Sequence, residues 1–288
     1  MKQFEYFQEN FNAKLKTLEA ANTLQLERLM HQLEALNSTN NLKLEQLVYR
    51  LKILDAKNDV EQQTEANMPR SCREVKERVY DVPTTHLIQP DFAADPIKVL
   101  CELKKRGGGW AYILNRFDGS QNFDFDLEEY KQGFGNLSSE FWLGLDNIHY
   151  LTGYEISELL VELVDWNGTS VFAHYDVFRV GSGHEGYLMT VSGYKGTAGD
   201  SLSNNNYSKF STKTIDLDIW SLESCAQKHG ASWWYKNCLK SLLTGKYLKG
   251  DVPLEQINKI MYWDTFRGAQ YSLKEARMMV RPRIERND

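Results

Sequence analysis

Apolar positions along this chain follow two rhythms, and the change between them divides it near residue 68. In the first stretch they fall at Phe4, Phe7, Phe11, Leu15, Leu18, Leu26, Leu29, Leu33, Leu36, Leu44, Leu47, Leu51 and Leu54. Steps of three and four keep one face of a helix apolar. Asparagine fills the remaining seam positions, Asn22, Asn40 and Asn58, and the surrounding segment EAANTLQLERLMHQLEAL at 19–36 is echoed by NSTNNLKLEQLVYRLKIL at 37–54. That period is a whole number of turns at 3.6 residues per turn, so the seam runs nearly straight along the helix and relaxes the left-handed supercoil of a strict heptad. Such a helix would extend roughly 85 to 100 Å at 1.5 Å per residue and cannot bury its own stripe. The pattern predicts a parallel coiled coil over residues 1–68, with the asparagines fixing register. The alternative is a helical hairpin cornered at Asn37-Ser38-Thr39-Asn40-Asn41.

Beyond residue 68 the rhythm shortens, and all 19 glycines and all six prolines lie there. Strand-like pieces, GGGWAYILNRFDG, SEFWLGLDNIHYLT, YEISELLVELVDWNG, VFAHYDVFRV and EGYLMTVSGY, alternate with glycine-marked turns. Helical signals are few, the clearest being LEEYKQGFG after Asp124 and Asp126. Residues 69–288 are therefore expected to form one α+β domain on an antiparallel or mixed sheet, with a loop-dominated last third. The run Gly181-Ser182-Gly183-His184-Glu185-Gly186 spells GxGxxG but precedes a strand-like segment, so it reads as a hairpin loop and not a nucleotide cradle.

The last third must be held by something other than regular structure. It carries Asp216, Asp218, Cys225 and Cys238 around a Trp233-Trp234-Tyr235 cluster. A cation between the aspartates and a disulfide between the cysteines are the natural staples. The four cysteines, Cys72, Cys101, Cys225 and Cys238, allow three pairings. Pairing nearest neighbours closes two moderate loops, each worth about 3 to 4 kcal/mol. Sequons at Asn37, Asn136, Asn167 and Asn206 suit glycosylated surface positions. Secretion is expected on these grounds, although the opening MKQFEYFQEN shows no apolar signal core, and no stretch is long and apolar enough for a membrane span. A net charge of −5 without a basic block disfavours nucleic acid as a partner. No HExxH, GxSxG or P-loop occurs, the six histidines are scattered, and His174 with Asp176 reads as strand polarity, so no enzymatic activity is expected.

Seven segments stand in an order that resembles the fibrinogen-related C-terminal domain, the module of ficolins, tachylectins, angiopoietins and the fibrinogen chains. They are PRSC at 69–72, GGGWAYILNRFDGS at 107–120, EEYKQGFGNLSSEFWLGLDNIHYLT at 128–152, GYKGTAGDSLS at 193–203, FSTK at 210–213, ASWWYKNC at 231–238 and YSLKEARMMVRP at 271–282. The resemblance implies that the preceding stalk makes homo-oligomers, usually trimers. It also implies a Ca²⁺ site in which Asp216 and Asp218 supply carboxylates and Trp220 a main-chain carbonyl. The chain departs from that pattern in having one residue more before Cys225 and Ser224 in place of an asparagine.

Ficolin-like and tachylectin-like members bind acetylated sugars with an aromatic cage beside the last disulfide. The corresponding places here hold His229, Leu239, Gln256 or Ile257, and Ala269, so the cage residues are replaced. A recognition face is expected at His229, Trp234, Asn237, Cys238, Leu239, Tyr247 and Tyr262. Two functions follow from the resemblance. One is a secreted, multivalent, innate-immune lectin-like protein for glycan or microbial surfaces. The alternative is a signalling or adhesion ligand of angiopoietin type that docks a cell-surface receptor.

Overall fold

The computed structural model describes residues 14–34, 36–37, 40, 43–44, 47, 50–52, 68–75 and 82–283. The chain divides into two units, Met1–Asn67 and Met68–Asp288. In the first, residues 14–34 form a continuous helix, α1, and the described residues from 36 to 52 are helical too. Asn37 and Asn40, where a hairpin would need its corner, are both helical. The seam leucines Leu18, Leu26, Leu29 and Leu33 are 52–69% exposed, so the stripe has no partner within its own unit among the described residues. Phe4, Phe7, Phe11, Leu54 and Asn58 of the predicted seam lie outside the described residues.

The second unit begins with eight strands: β1 (Thr84–Ile88), β2 (Ile97–Glu102), β3 (Trp110–Arg116), β4 (Phe134–Gly135), β5 (Phe141–Trp142), β6 (Ser157–Val164), β7 (Ser170–Val180) and β8 (Met189–Gly196). Two helices lie among them, α2 (Leu127–Gln132) and α3 (Leu145–Thr152). The loop-rich part that follows contains only two-residue strands, β9 (Phe210–Ser211), β10 (Trp233–Trp234), β11 (Ser241–Leu242), β12 (Gly250–Asp251), β13 (Tyr262–Trp263) and β14 (Tyr271–Ser272), with short helices α4 (Cys225–His229) and α5 (Asp264–Arg267). A long strand, β15 (Glu275–Pro282), comes last.

One sheet of nine strands organises the unit, in the order β1-β2-β3-β15-β6-β7-β8, with β5 on β3 and β4 on β5. Every strand pairing in it is antiparallel. Strand β15 is central and pairs with β3 on one side and β6 on the other. All seven residues of β3 are buried, Asn115 and Arg116 included, which explains its near-continuous apolar run. The Gly181–Gly186 segment joins β7 to β8 through a short 3₁₀ turn at Gly183–Glu185, the hairpin loop expected of it.

One strand-like piece is corrected. In SEFWLGLDNIHYLT only Phe141–Trp142 is strand, and Leu145–Thr152 is helix α3. Gly144 at φ 104 breaks the strand, after which Leu145, Ile148 and Thr152 fall on one buried face at helical spacing.

Five tryptophans, Trp110, Trp142, Trp233, Trp234 and Trp263, are essentially fully buried. They link the sheet to the loop-rich part. Trp234 meets Trp142 at 6.0 Å, Phe210 at 5.1 Å and Phe178 at 6.3 Å between ring centroids. Buried indoles need acceptors; Trp142, Trp234 and Trp263 donate to the carbonyls of Tyr130, Tyr187 and Gly199 at 2.8–2.9 Å.

Candidate functional site

Both staples of cysteine are present: Cys72 bridges Cys101 and Cys225 bridges Cys238, with Cα separations of 5.5 and 5.7 Å. The second closes a loop whose sequence separation is 13 residues, and that loop carries most of the predicted site. Its first limb starts with α4, capped by the Ser224 hydroxyl, which accepts from Gln227 N–H. Its second limb is fastened from outside. Asn205, fully buried, donates through one amide nitrogen to Trp234 O at 2.9 Å and Cys238 O at 2.8 Å. The loop is thus tied at three points, which holds its outer surface in one shape.

The acidic pair sits at the entry to this loop. Asp218 accepts from Trp220 N–H and Cys225 N–H, both at 2.8 Å, and Asp216 accepts from Asp218 N–H at 3.2 Å. Burial pushes the Asp218 carboxyl upward, and the facing Asp216 carboxyl adds to this against the pull of the two amide hydrogen bonds. Two neighbouring carboxylates, one of them half-buried and made costlier to ionise by the other, are a donor set of the kind a divalent cation would take. Among the described residues no third carboxylate or histidine joins them, so further ligands would be backbone carbonyls and water. Trp220 is half-buried beneath Lys228, whose ammonium lies 4.2 Å from the ring centroid.

The residues expected to form the recognition face divide between surface and interior. Asn237 is exposed, and Cys238 and Leu239 are half-buried against the core. His229 is 7% exposed and stacks on Tyr235 with centroids 5.9 Å apart and planes 15° apart. Burial lowers its pKa, opposed by a hydrogen bond to the Asn258 backbone. Trp234 is wholly enclosed, and Tyr262 is 1% exposed. Burial raises the Tyr262 hydroxyl's pKa, and that oxygen has no hydrogen-bond partner among the described residues. Tyr247 is a clamp elsewhere: its single O–H lies between the acceptors Phe117 O and Lys274 O, at 2.8 and 2.9 Å, and its ring packs where a Cβ on Gly119 would sit, 2.5 Å from Cδ1. It borders a polar recess with Arg116, Gln121, Asn122, Thr244 and Lys246. The face available to a ligand therefore contains Asn237, the edge of Leu239 and little else of the predicted set.

Sequence reasoning passed over the apolar residues beside the aspartates. Ile219 and Leu222 are 68% and 82% exposed, and Ile215 is 41% exposed. The signal was present: large aliphatics in an irregular loop, where no strand or helix face could hide them. Of the sequons, Asn37, Asn136 and Asn167 are exposed, whereas Asn206 is half-buried with its side-chain oxygen accepting from Val191 N–H at 2.9 Å.

Residues 68–283 match the family model of the fibrinogen beta and gamma chains' C-terminal globular domain. Human angiopoietin-related protein 2 is 39% identical over 213 residues, which cover 74% of this chain and 43% of the relative. Human fibrinogen alpha chain is 43% identical over 208 residues, covering 65% and 24% respectively. Among solved structures, the fibrinogen-like globe domain of human ANGPTL2 superposes with a TM-score of 0.71 at 39% identity, covering 74% of this chain and 99% of that one. The chain spans less than half the length of the curated relatives it matches. On the matched model, the shared fold and these identities together, the chain belongs to the fibrinogen C-terminal domain family.

Proposed function

We propose that this chain is an extracellular, non-enzymatic ligand of the angiopoietin-related kind, in which the globular unit docks a cell-surface protein and the helical segment gathers several copies. The observation that carries this is the surface beside the Cys225–Cys238 loop: Ile219 and Leu222 stand in water next to Asp216 and Asp218. Exposed aliphatics rimmed by charge are the makings of a protein interface. Angiopoietin-related proteins among the relatives favour the same reading. The lectin reading loses its footing in the same place, since the cage positions are replaced and His229 is buried against Tyr235. Two disulfides and exposed sequons suit secretion, and no described helix is long and apolar enough to cross a membrane.

A divalent cation at Asp216 and Asp218 would fix the backbone that presents Ile219 and Leu222. The exposed leucine stripe of α1 supplies the driving force for a parallel coiled coil, and linked sites gain roughly 10² to 10⁴ in avidity. The test is binding of the full chain to a cell-surface receptor library, beside a glycan array. Substitution of Ile219 and Leu222 by serine should weaken receptor binding at least about a hundredfold, since each removes a buried aliphatic worth about 1.5 kcal/mol or more. Undiminished binding by that double variant, or selective capture by glycans alone, would reject the assignment.

A further inference from the structure

A second recess lies in the globular unit, between the residues around Cys72, the turn after β1, the α3–β6 connection and the end of β15. It encloses about 150 Å³, a volume that in an engineered lysozyme admits a benzene molecule. Its apolar wall is made by Pro90, Tyr150, Leu151, Tyr154, Val280 and Pro282.

The charges in the wall are nearly all answered. Arg70 pairs with Asp91 at 3.3 Å, and its backbone N–H donates to Glu74 at 2.9 Å. Arg281 is held by Glu158 at 2.8 Å. Glu155 is exposed to solvent. Arg73 is the exception: its Nε is buried with no hydrogen bond among the described residues. Burial and the nearby Arg281 both work against its charge, with Glu158 opposing. Arg73 is half-buried, its Nε is cut off from water without an acceptor, and a carboxylate is the acceptor whose geometry suits a guanidinium.

An independent observation comes from the rim. Ala93 N–H donates to Pro90 O at 3.1 Å, closing a turn whose third residue, Phe92, has φ 68. This is the type II position that ordinarily takes glycine or asparagine. Phe92 is 73% exposed, and its ring leans on that of Tyr154 with centroids 4.5 Å apart and planes 31° apart. The fold gains little from an aromatic held in a strained conformation and left in water; strain of this kind gathers at ligand clamps.

We propose that this recess binds a small planar carboxylate. Arg73 receives the carboxylate, Tyr150 and Tyr154 flank the apolar body, and Phe92, outside the lining itself, braces the Tyr154 ring from the solvent side. The site shares no residue with the docking face proposed above, so either can fail without the other.

The test is titration of the full chain with benzoate and with benzamide, equal in shape and different in charge, read by calorimetry and ligand-observed NMR. Benzoate should saturate in the millimolar range or below, as its few atoms allow. Benzamide, and benzoate with the Arg73→Met chain, should bind about tenfold or more weakly, the worth of one charged hydrogen bond. Phe92→Gly should weaken benzoate while leaving the unfolding midpoint unchanged or higher, because glycine suits the turn. Absence of saturation, equal binding of the amide, indifference to Arg73→Met in folded protein, or full benzoate affinity in Phe92→Gly would each overturn the proposal.

Discussion

Replacing Glu140 by glutamine should destabilise the globular unit far more than its one-atom change suggests. Glu140 is 1% exposed, and one carboxylate oxygen accepts from the backbone N–H groups of Phe117, Asp118 and Gly119 at 2.6, 2.8 and 2.9 Å. The other accepts from Gln121 N–H at 3.2 Å. Four amides of the loop after β3 thus converge on one buried charge. Arg116 is the buried cation that feels this charge without pairing directly with it; 2% exposed, it donates to Leu243 O and Gly245 O and lies 4.1 Å from the Phe123 ring centroid. Burial lowers the Arg116 pKa to about 10, and Glu140 acts in the opposite direction. Glutamine keeps one acceptor oxygen and places an NH₂ against a backbone donor, whichever way it turns. It also removes the carboxylate charge that supports the buried Arg116 cation. Weakening or losing each of the four charge-assisted amide bonds costs about 1 kcal/mol. The expected loss is about 3 to 5 kcal/mol, read from denaturant unfolding followed by tryptophan fluorescence at matched protein concentration. Adding Arg116→Met should recover part of it, a coupling of about 1 to 3 kcal/mol. A loss below about 1 kcal/mol in the single variant would refute the picture of a charged clamp.

Glu158 gives the acid response. Burial lifts its carboxyl, but hydrogen bonds and charge from His174 and Arg281 outweigh this and hold it at about 2, below the roughly 4.3 of an unfolded chain. A depressed carboxylate stabilises fully above the unfolded value and loses that contribution as pH falls through the folded one. Between pH of about 4.3 and about 2, Glu158→Gln should therefore lose less of its unfolding midpoint than the parent; equal losses would remove Glu158 from the account. Millimolar Ca²⁺ should raise the midpoint of the parent chain and not that of Asp218→Asn, and an identical rise in both would count against the aspartate pair. Joint substitution Leu26→Asp and Leu29→Asp should convert an oligomer to a monomer by sedimentation equilibrium, with near-ultraviolet dichroism kept; an unchanged mass would show that the stripe is not the contact.

The helix and the sheet were legible because their periods are long. Three- and four-residue steps ran through α1, and β6 and β7 announced themselves by runs of branched and aromatic residues. Helix α3 was hidden because its apolar face, Leu145, Ile148 and Thr152, covers only two turns and follows an aromatic pair that looks like strand. At the site, cysteines and aspartates were readable by type, since few residues do their chemistry. Burial was not: Trp234 and His229 look equally fit for a pocket wall or a core, and which they become depends on Phe178 and Phe210 closing on Trp234 from earlier in the chain and on Tyr235 folding back over His229. Glu140 left no sequence signal, because its four partners are backbone amides.

Strand β15 sets a condition on how the protein is made. Residues 275–282 lie between β3 and β6, so the two flanking portions of the sheet share no direct strand pairing. A ribosome must release nearly the whole globular unit before these halves can be zipped together, and the emerging chain waits with two open seams. A chain ending before Glu275 would lack the keystone that joins the two portions.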